Sequence, residues 1–143
     1  MKQVEGCIFN LDDVLVDSSD CHILPGVKRF LINLRVSGMK LAITTTDKNA
    51  NFILQKLGIE KFFDTIQYSN NSDLESTLLK TAEFLNLNPE NCVIFCKEGI
   101  TLKEAKKINM PVIGVGFDST NGIPDKLIPN LSNVNSSILN FAS

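Results

Sequence analysis

Short apolar runs of strand length alternate along this chain with apolar positions at helical spacing. The run Val4 to Asn10 predicts a first strand. Pro25, Gly26 and Val27 then open a helix through Leu34, with Pro25 suited to a first turn and Val27, Phe30, Leu31 and Leu34 recurring on one face. Gly38 stops it. Lys40 to Thr44 predicts a second strand that runs into Thr45, Thr46 and Asp47, and Asn49 to Leu57 a second helix with Gly58 just past its end. A short strand near Thr65 to Tyr68 follows, then a polar turn and a long helix from about Leu74 to Leu85. Cys92 to Cys96 and Pro111 to Gly116 read as further strands, separated by a helix over Thr101 to Ile108, and a short helix near Ser132 to Phe141 closes the chain. Strands that alternate with helices in this way build a parallel sheet covered on both faces, an α/β three-layer sandwich.

At 143 residues the chain has the length of one domain, so residues 1–143 are expected to share one core. Hydrophobic residues make up 43% and charged residues 21%, a balance that excludes an unfolded polar chain. The net charge of -2 leaves no basic excess to neutralise phosphates, which argues against nucleic acid as a partner. The longest apolar runs fall far short of the roughly 20 residues that a bilayer requires. No membrane partner is expected. The first residues lack an apolar stretch of signal-peptide length, and the reading is a cytoplasmic protein that begins near Met1. Four cysteines, Cys7, Cys21, Cys92 and Cys96, lack paired metal-ligand spacing and suit that compartment as free thiols.

The segment Gly6 to Ser18 is an apolar strand that ends in the polar cluster Asn10, Asp12 and Asp13, where open α/β sheets place their ligands. It resembles the haloacid dehalogenase superfamily, whose members carry Phe-Asp-x-Asp-Gly-Val/Thr-Leu-Val-Asp-Ser at this point. The likeness is strongest to the β-phosphoglucomutase branch, and it continues in order through Pro25-Gly26-Val27, Gly38 to Ala42, Lys48-Asn49-Ala50, Phe63-Asp64, Pro89 to Val93 and Ile113 to Gly116. The resemblance implies a Rossmann-like core, phosphoryl transfer through an aspartyl nucleophile, and a magnesium ion.

The working positions depart from that pattern. Asn10 stands where the nucleophile belongs, and an amide offers neither an attacking oxygen nor a formal charge for magnesium. Loss of a nucleophile costs on the order of a million-fold where it has been isolated in other covalent catalysts. Asp12 keeps the acid/base position. Thr45, with Thr46 and Lys48 nearby, fits the phosphate-binding motif after the second strand. The lysine of the third motif is missing from Asn71 to Leu74, and the acidic metal pair of the fourth is replaced by Cys96 and Lys97, followed by Glu98. These changes shift the site by about three charges in the positive direction. Lys97 is expected to fill the vacated metal region and pair with Asp12, so that no metal or other cofactor is needed.

Blander readings stand beside these. Asn10 and Asp12 also suit a strand end whose side chains hold the following turn, Thr44 to Thr46 suit ordinary strand packing, and Lys97 and Glu98 a solvated loop pair. His22 reads as a surface residue and Cys96 as a packing residue. In the β-phosphoglucomutase branch a helical cap lies between the first motif and the Pro-Gly-Val helix, whereas only Ser18 to Leu24 connect them here. A site without that cap cannot exclude water by closing over a small substrate, and a large partner suits it better. The function expected is a catalytically inactive, capless relative that acts as a binding or regulatory module for a protein partner or an anionic, phosphate-bearing ligand. The alternative is a capless phosphatase with Asp12 or Asp13 as nucleophile, and a third class is a homo-oligomeric structural subunit.

Overall fold

The computed structural model describes residues 3–70, 72–117 and 122–141. Ten regular elements follow one another: β1 (Gly6–Asn10), α1 (Val27–Val36), β2 (Lys40–Thr45), α2 (Ala50–Leu57), β3 (Thr65–Tyr68), α3 (Leu74–Phe84), β4 (Cys92–Cys96), α4 (Gly99–Lys107), β5 (Val112–Val115) and β6 (Lys126–Ile128). The six strands form one sheet in the order β3-β2-β1-β4-β5-β6, and every pairing is parallel.

Alternation within the strands explains why they read as unbroken apolar runs. Cys7 and Phe9 of β1 face one side with Val93 and Phe95 of β4, and pack beneath α1 and α2 through Phe30, Leu31, Leu34 and Leu54. Ile8, Cys92, Ile94 and Cys96 face the other side against Leu78 and Ala82 of α3 and Leu102 and Ala105 of α4. Both faces of the central strands are therefore dry. The first face is built around three rings: Phe9 stacks on Phe95 at 4.6 Å between centroids, and Phe30 meets them edge-on at 6.3 and 5.7 Å. Edge-to-face and offset contacts of this kind add to the burial of the rings.

Three local expectations need correction. First, α1 starts at Val27, because Gly26 precedes it in the left-handed region at φ 80° and Pro25 lies outside the first turn. A side chain at Gly26 would place its Cβ 2.3 Å from Ser132 Cα, so this corner tolerates only glycine. Second, the closing helix over Ser132 to Phe141 is reduced to a 3-10 turn at Ser136–Leu139. Its asparagines bond locally instead: Asn130 accepts from the N–H and hydroxyl of Ser132, and Asn135 from those of Ser137. Third, the edge strand β6 was not foreseen, since three residues carry no readable period.

Replacing Phe95 by alanine is expected to destabilise the fold by about 3–5 kcal/mol, because the ring is fully buried and its neighbours on both sides cannot collapse into the space. Urea denaturation read by circular dichroism measures this. A loss below about 1 kcal/mol would mean that the ring cluster does not anchor the sheet.

Candidate functional site

In a sheet of order 3-2-1-4-5-6 the chain reverses direction between β1 and β4, and the loops at the carboxyl ends of these strands diverge to leave a crevice. A small cleft of about 50 Å³ opens there, lined among others by Asn10, Asp12, Thr45, Ser69, Glu98 and Thr101. It joins residues from the ends of β1, β2, β3 and β4 with the first turn of α4.

Asn10 ends β1, and its amide is held from both sides. The Nδ2 group donates to Thr44 Oγ1 of β2 at 2.9 Å, and Oδ1 accepts from Thr101 Oγ1 of α4 at 3.3 Å. Thr44 and Thr101 are buried, so this tie lies at the floor of the cleft. Beyond it the chain folds into a tight turn in which Asp13 N–H donates to Val16 carbonyl at 2.7 Å and Asp13 takes φ 61°. Asp13 turns its carboxylate to the Ser18 N–H and hydroxyl, both at 3.1 Å. Asp12 keeps its carboxyl at the mouth. Burial, and then the negative charges of Asp47, Asp13 and Glu98, raise its pKa above the ordinary aspartate value.

Thr45 lies at the expected strand end, buried, with its Oγ1 accepting from Asp47 N–H at 3.0 Å. Thr46 lines the cleft as well, whereas Lys48 is exposed and contributes nothing to its wall. Behind β3, Ser69 hydroxyl donates to Asp73 Oδ1 at 2.9 Å, and this bond together with Asn70 N–H holds Asp73 below the usual carboxylate range. Asn71, where the third motif was sought, lies outside the described residues.

The end of β4 decides between the two readings of Lys97, a bridge to Asp12 or a solvated loop residue. Cys96 faces the α3 and α4 side of the core, fully buried, and its thiol is pushed up to about 12 by burial and by Glu98, so it is an inert packing group. Lys97 is exposed and forms no ion pair among the described residues; it lines a wider hollow beside the cleft together with Asp12, Asp13, Glu98, Ile100 and Lys103. The expected bridge from Lys97 to Asp12 is therefore absent, and Glu98 is the β4 loop residue that lines the cleft. Among the described residues, the charged side chains that line the cleft are two acids, Asp12 and Glu98. Counting substitutions could not reveal this, because the outcome depends on where Lys97 and Glu98 point. The sequence reading also missed Ser69 and Thr101; the position of Ser69 directly after a strand was the only available signal.

The linker from β1 to α1 carries one more cluster. One ligand atom each from Asp17, Asp20 and His22 lies within 4.8 Å of the others, and the His22 Nδ1 contacts Asp20 Oδ1. His22 is on the surface, as expected.

The haloacid dehalogenase-like hydrolase family matches residues 20–115, most of the chain. The chain belongs to this family. Among solved structures, β-phosphoglucomutase from Clostridium difficile is similar at 19% identity over 95% of each chain with a TM-score of 0.84. A haloacid dehalogenase-like family hydrolase from Streptococcus pneumoniae matches at 15% identity, over 90% of this chain and 95% of the other, with a TM-score of 0.78. An aspartate-to-asparagine mutant of CbbY from Rhodobacter sphaeroides, in complex with xylulose-1,5-bisphosphate, matches at 14% identity over 97% and 100% with a TM-score of 0.81. These identities establish the shared fold. No helix among the described residues is long and apolar enough to cross a membrane.

The position of Asp12 makes a pH prediction. Its folded-state pKa is raised, so on raising the pH the unfolded chain releases this proton first; stability is gained below the ordinary aspartate value and lost as the pH rises through the folded one. Asp12→Asn removes a repelled charge, and thermal unfolding is expected to shift upward at pH 7 with the gain vanishing near pH 3. A variant that melts lower at pH 7 would show that the carboxylate is compensated.

Proposed function

We propose that this chain is a non-catalytic member of its family whose former phosphoryl-transfer cleft serves as a binding or regulatory site. The observation that carries this is Asn10: the residue at the nucleophile position is an amide, and both ends of that amide are engaged, with Thr44 on one side and Thr101 on the other. A nucleophile at this position needs an oxygen that can carry charge, and the neutral amide oxygen of Asn10 does not. The other carboxylates do not take its place readily. Asp13 is committed to Ser18, and Asp47 Oδ1 accepts from Asn49 N–H at 2.8 Å.

The partner favoured is a protein. Asp12, Asp47 and Glu98 raise the cost of bringing a free phosphate dianion to the mouth, and no cation pairs with Asp12 among the described residues. The short connection Ser18 to Leu24 leaves the cleft open to a large surface, in keeping with the capless, single-domain organisation proposed for the chain. A phosphorylated ligand stays as the second occupant, supported by the asparagine mutant of CbbY in complex with xylulose-1,5-bisphosphate. A phosphatase that uses Asp12 is the second reading, favoured by its uncommitted carboxyl at the acid/base position.

Purified chain, incubated with p-nitrophenyl phosphate and magnesium, is expected to release no product above the level of its Asp12→Ala variant. Turnover at ordinary enzymatic rates that disappears in Asp12→Ala, with an acyl-phosphate trapped on the chain, would overturn the proposal.

A further inference from the structure

We infer that the cleft excludes the divalent cation its family carries, and that Asn10 is the residue that closes the position. The inference depends on the reading above only in taking the cleft as the working site. Magnesium requires hard oxygen donors converging at roughly 2.0–2.1 Å in near-octahedral order. The donors at the mouth do not converge in that way. Among the described residues, the one group of three carboxylate, imidazole or thiolate donors within 4.8 Å of one another is Asp17, Asp20 and His22 in the linker, and no such group forms around Asp12.

Each neighbour of Asp12 is accounted for. Asp13 points its carboxylate to Ser18, Asp47 accepts from Asn49, Cys96 is buried in the core, and Lys97, which shares the wider hollow with Asp12 and Glu98, brings a cation and no oxygen donor. Asp12 and Glu98 alone remain as free acids, and they act on each other as repelling charges. The decisive element is the tie at the floor. With Nδ2 on Thr44 and Oδ1 on Thr101, Asn10 cannot present a charged oxygen in either orientation of its amide, since turning the group over only exchanges the arm that donates for the arm that accepts. A carboxylate at this position would keep both contacts, because threonine hydroxyls can donate as readily as accept, and would add the missing hard anion.

The probe is Mn2+, added at pH 7.5 to isotopically labelled protein in a His22→Ala background that removes the imidazole of the linker group. With Asn10 in place, the amide signals of Leu11, Thr45 and Thr101 are expected to show no saturable broadening. With Asn10→Asp they are expected to broaden saturably, with affinity raised by about tenfold or more. Saturable broadening at these amides with Asn10 present would overturn the inference, as would a folded Asn10→Asp protein that gains nothing. The measurement with Asn10 in place decides by itself should the variant fail to fold. Release of phosphate by the wild-type chain in excess EDTA would end the non-catalytic reading while supporting this one; manganese at the cleft of an inert chain would do the reverse.

Discussion

The bond from Asn10 to Thr44 and Thr101 ties together the last residue of β1, the penultimate residue of β2 and the first turn of α4. It sits at the point where the sheet order turns back, the one place in this fold where two neighbouring loops leave in opposite directions and backbone cannot fill the gap. A polar group at the end of a buried strand needs partners, since an unsatisfied amide costs on the order of 1–3 kcal/mol. Here the partners are threonine hydroxyls, so the floor of the cleft is neutral and closed. Above that floor, Asp12 forms no ion pair among the described residues, and the charges that act on it most are those of other acids.

The core below is independent of this chemistry. Phe9, the residue before Asn10, stacks on Phe95, the residue before Cys96, so the strands that carry the site are fixed by rings one residue deeper in the sheet. Asn10, Asp12 and Glu98 lie beyond those rings and belong to neither apolar cluster. The core therefore does not depend on the side chains at the carboxyl edge, and the chain shares the fold of β-phosphoglucomutase with a TM-score of 0.84.

Most of the fold was legible because its signals are local. The strands over Thr65–Tyr68 and Cys92–Cys96 begin and end where the apolar runs do, and α2 and α3 differ from expectation by a residue at an end. What failed was either too short, as in β6, or decided by competition: Asn135 suits a helix by position and a turn by side chain, and the turn prevailed. The site divides in the same way. Asn10, Asp12 and Thr45 were legible because each follows directly from a strand end, where direction is set by the sheet. Lys97 and Glu98 were not, because a single residue of loop decides which of two adjacent side chains turns inward.

That single-residue choice adds to the field at Asp12, which burial and then Asp47 and Asp13 set more strongly than Glu98 does. Had Lys97 turned toward Asp12, the carboxyl would sit next to a cation and its pKa would fall; with Glu98 turned in, like charge adds to burial and the pKa rises. The same composition thus gives opposite fields depending on register. The cleft thus has a floor tied by threonine hydroxyls and a rim that carries the carboxylates of Asp12 and Glu98.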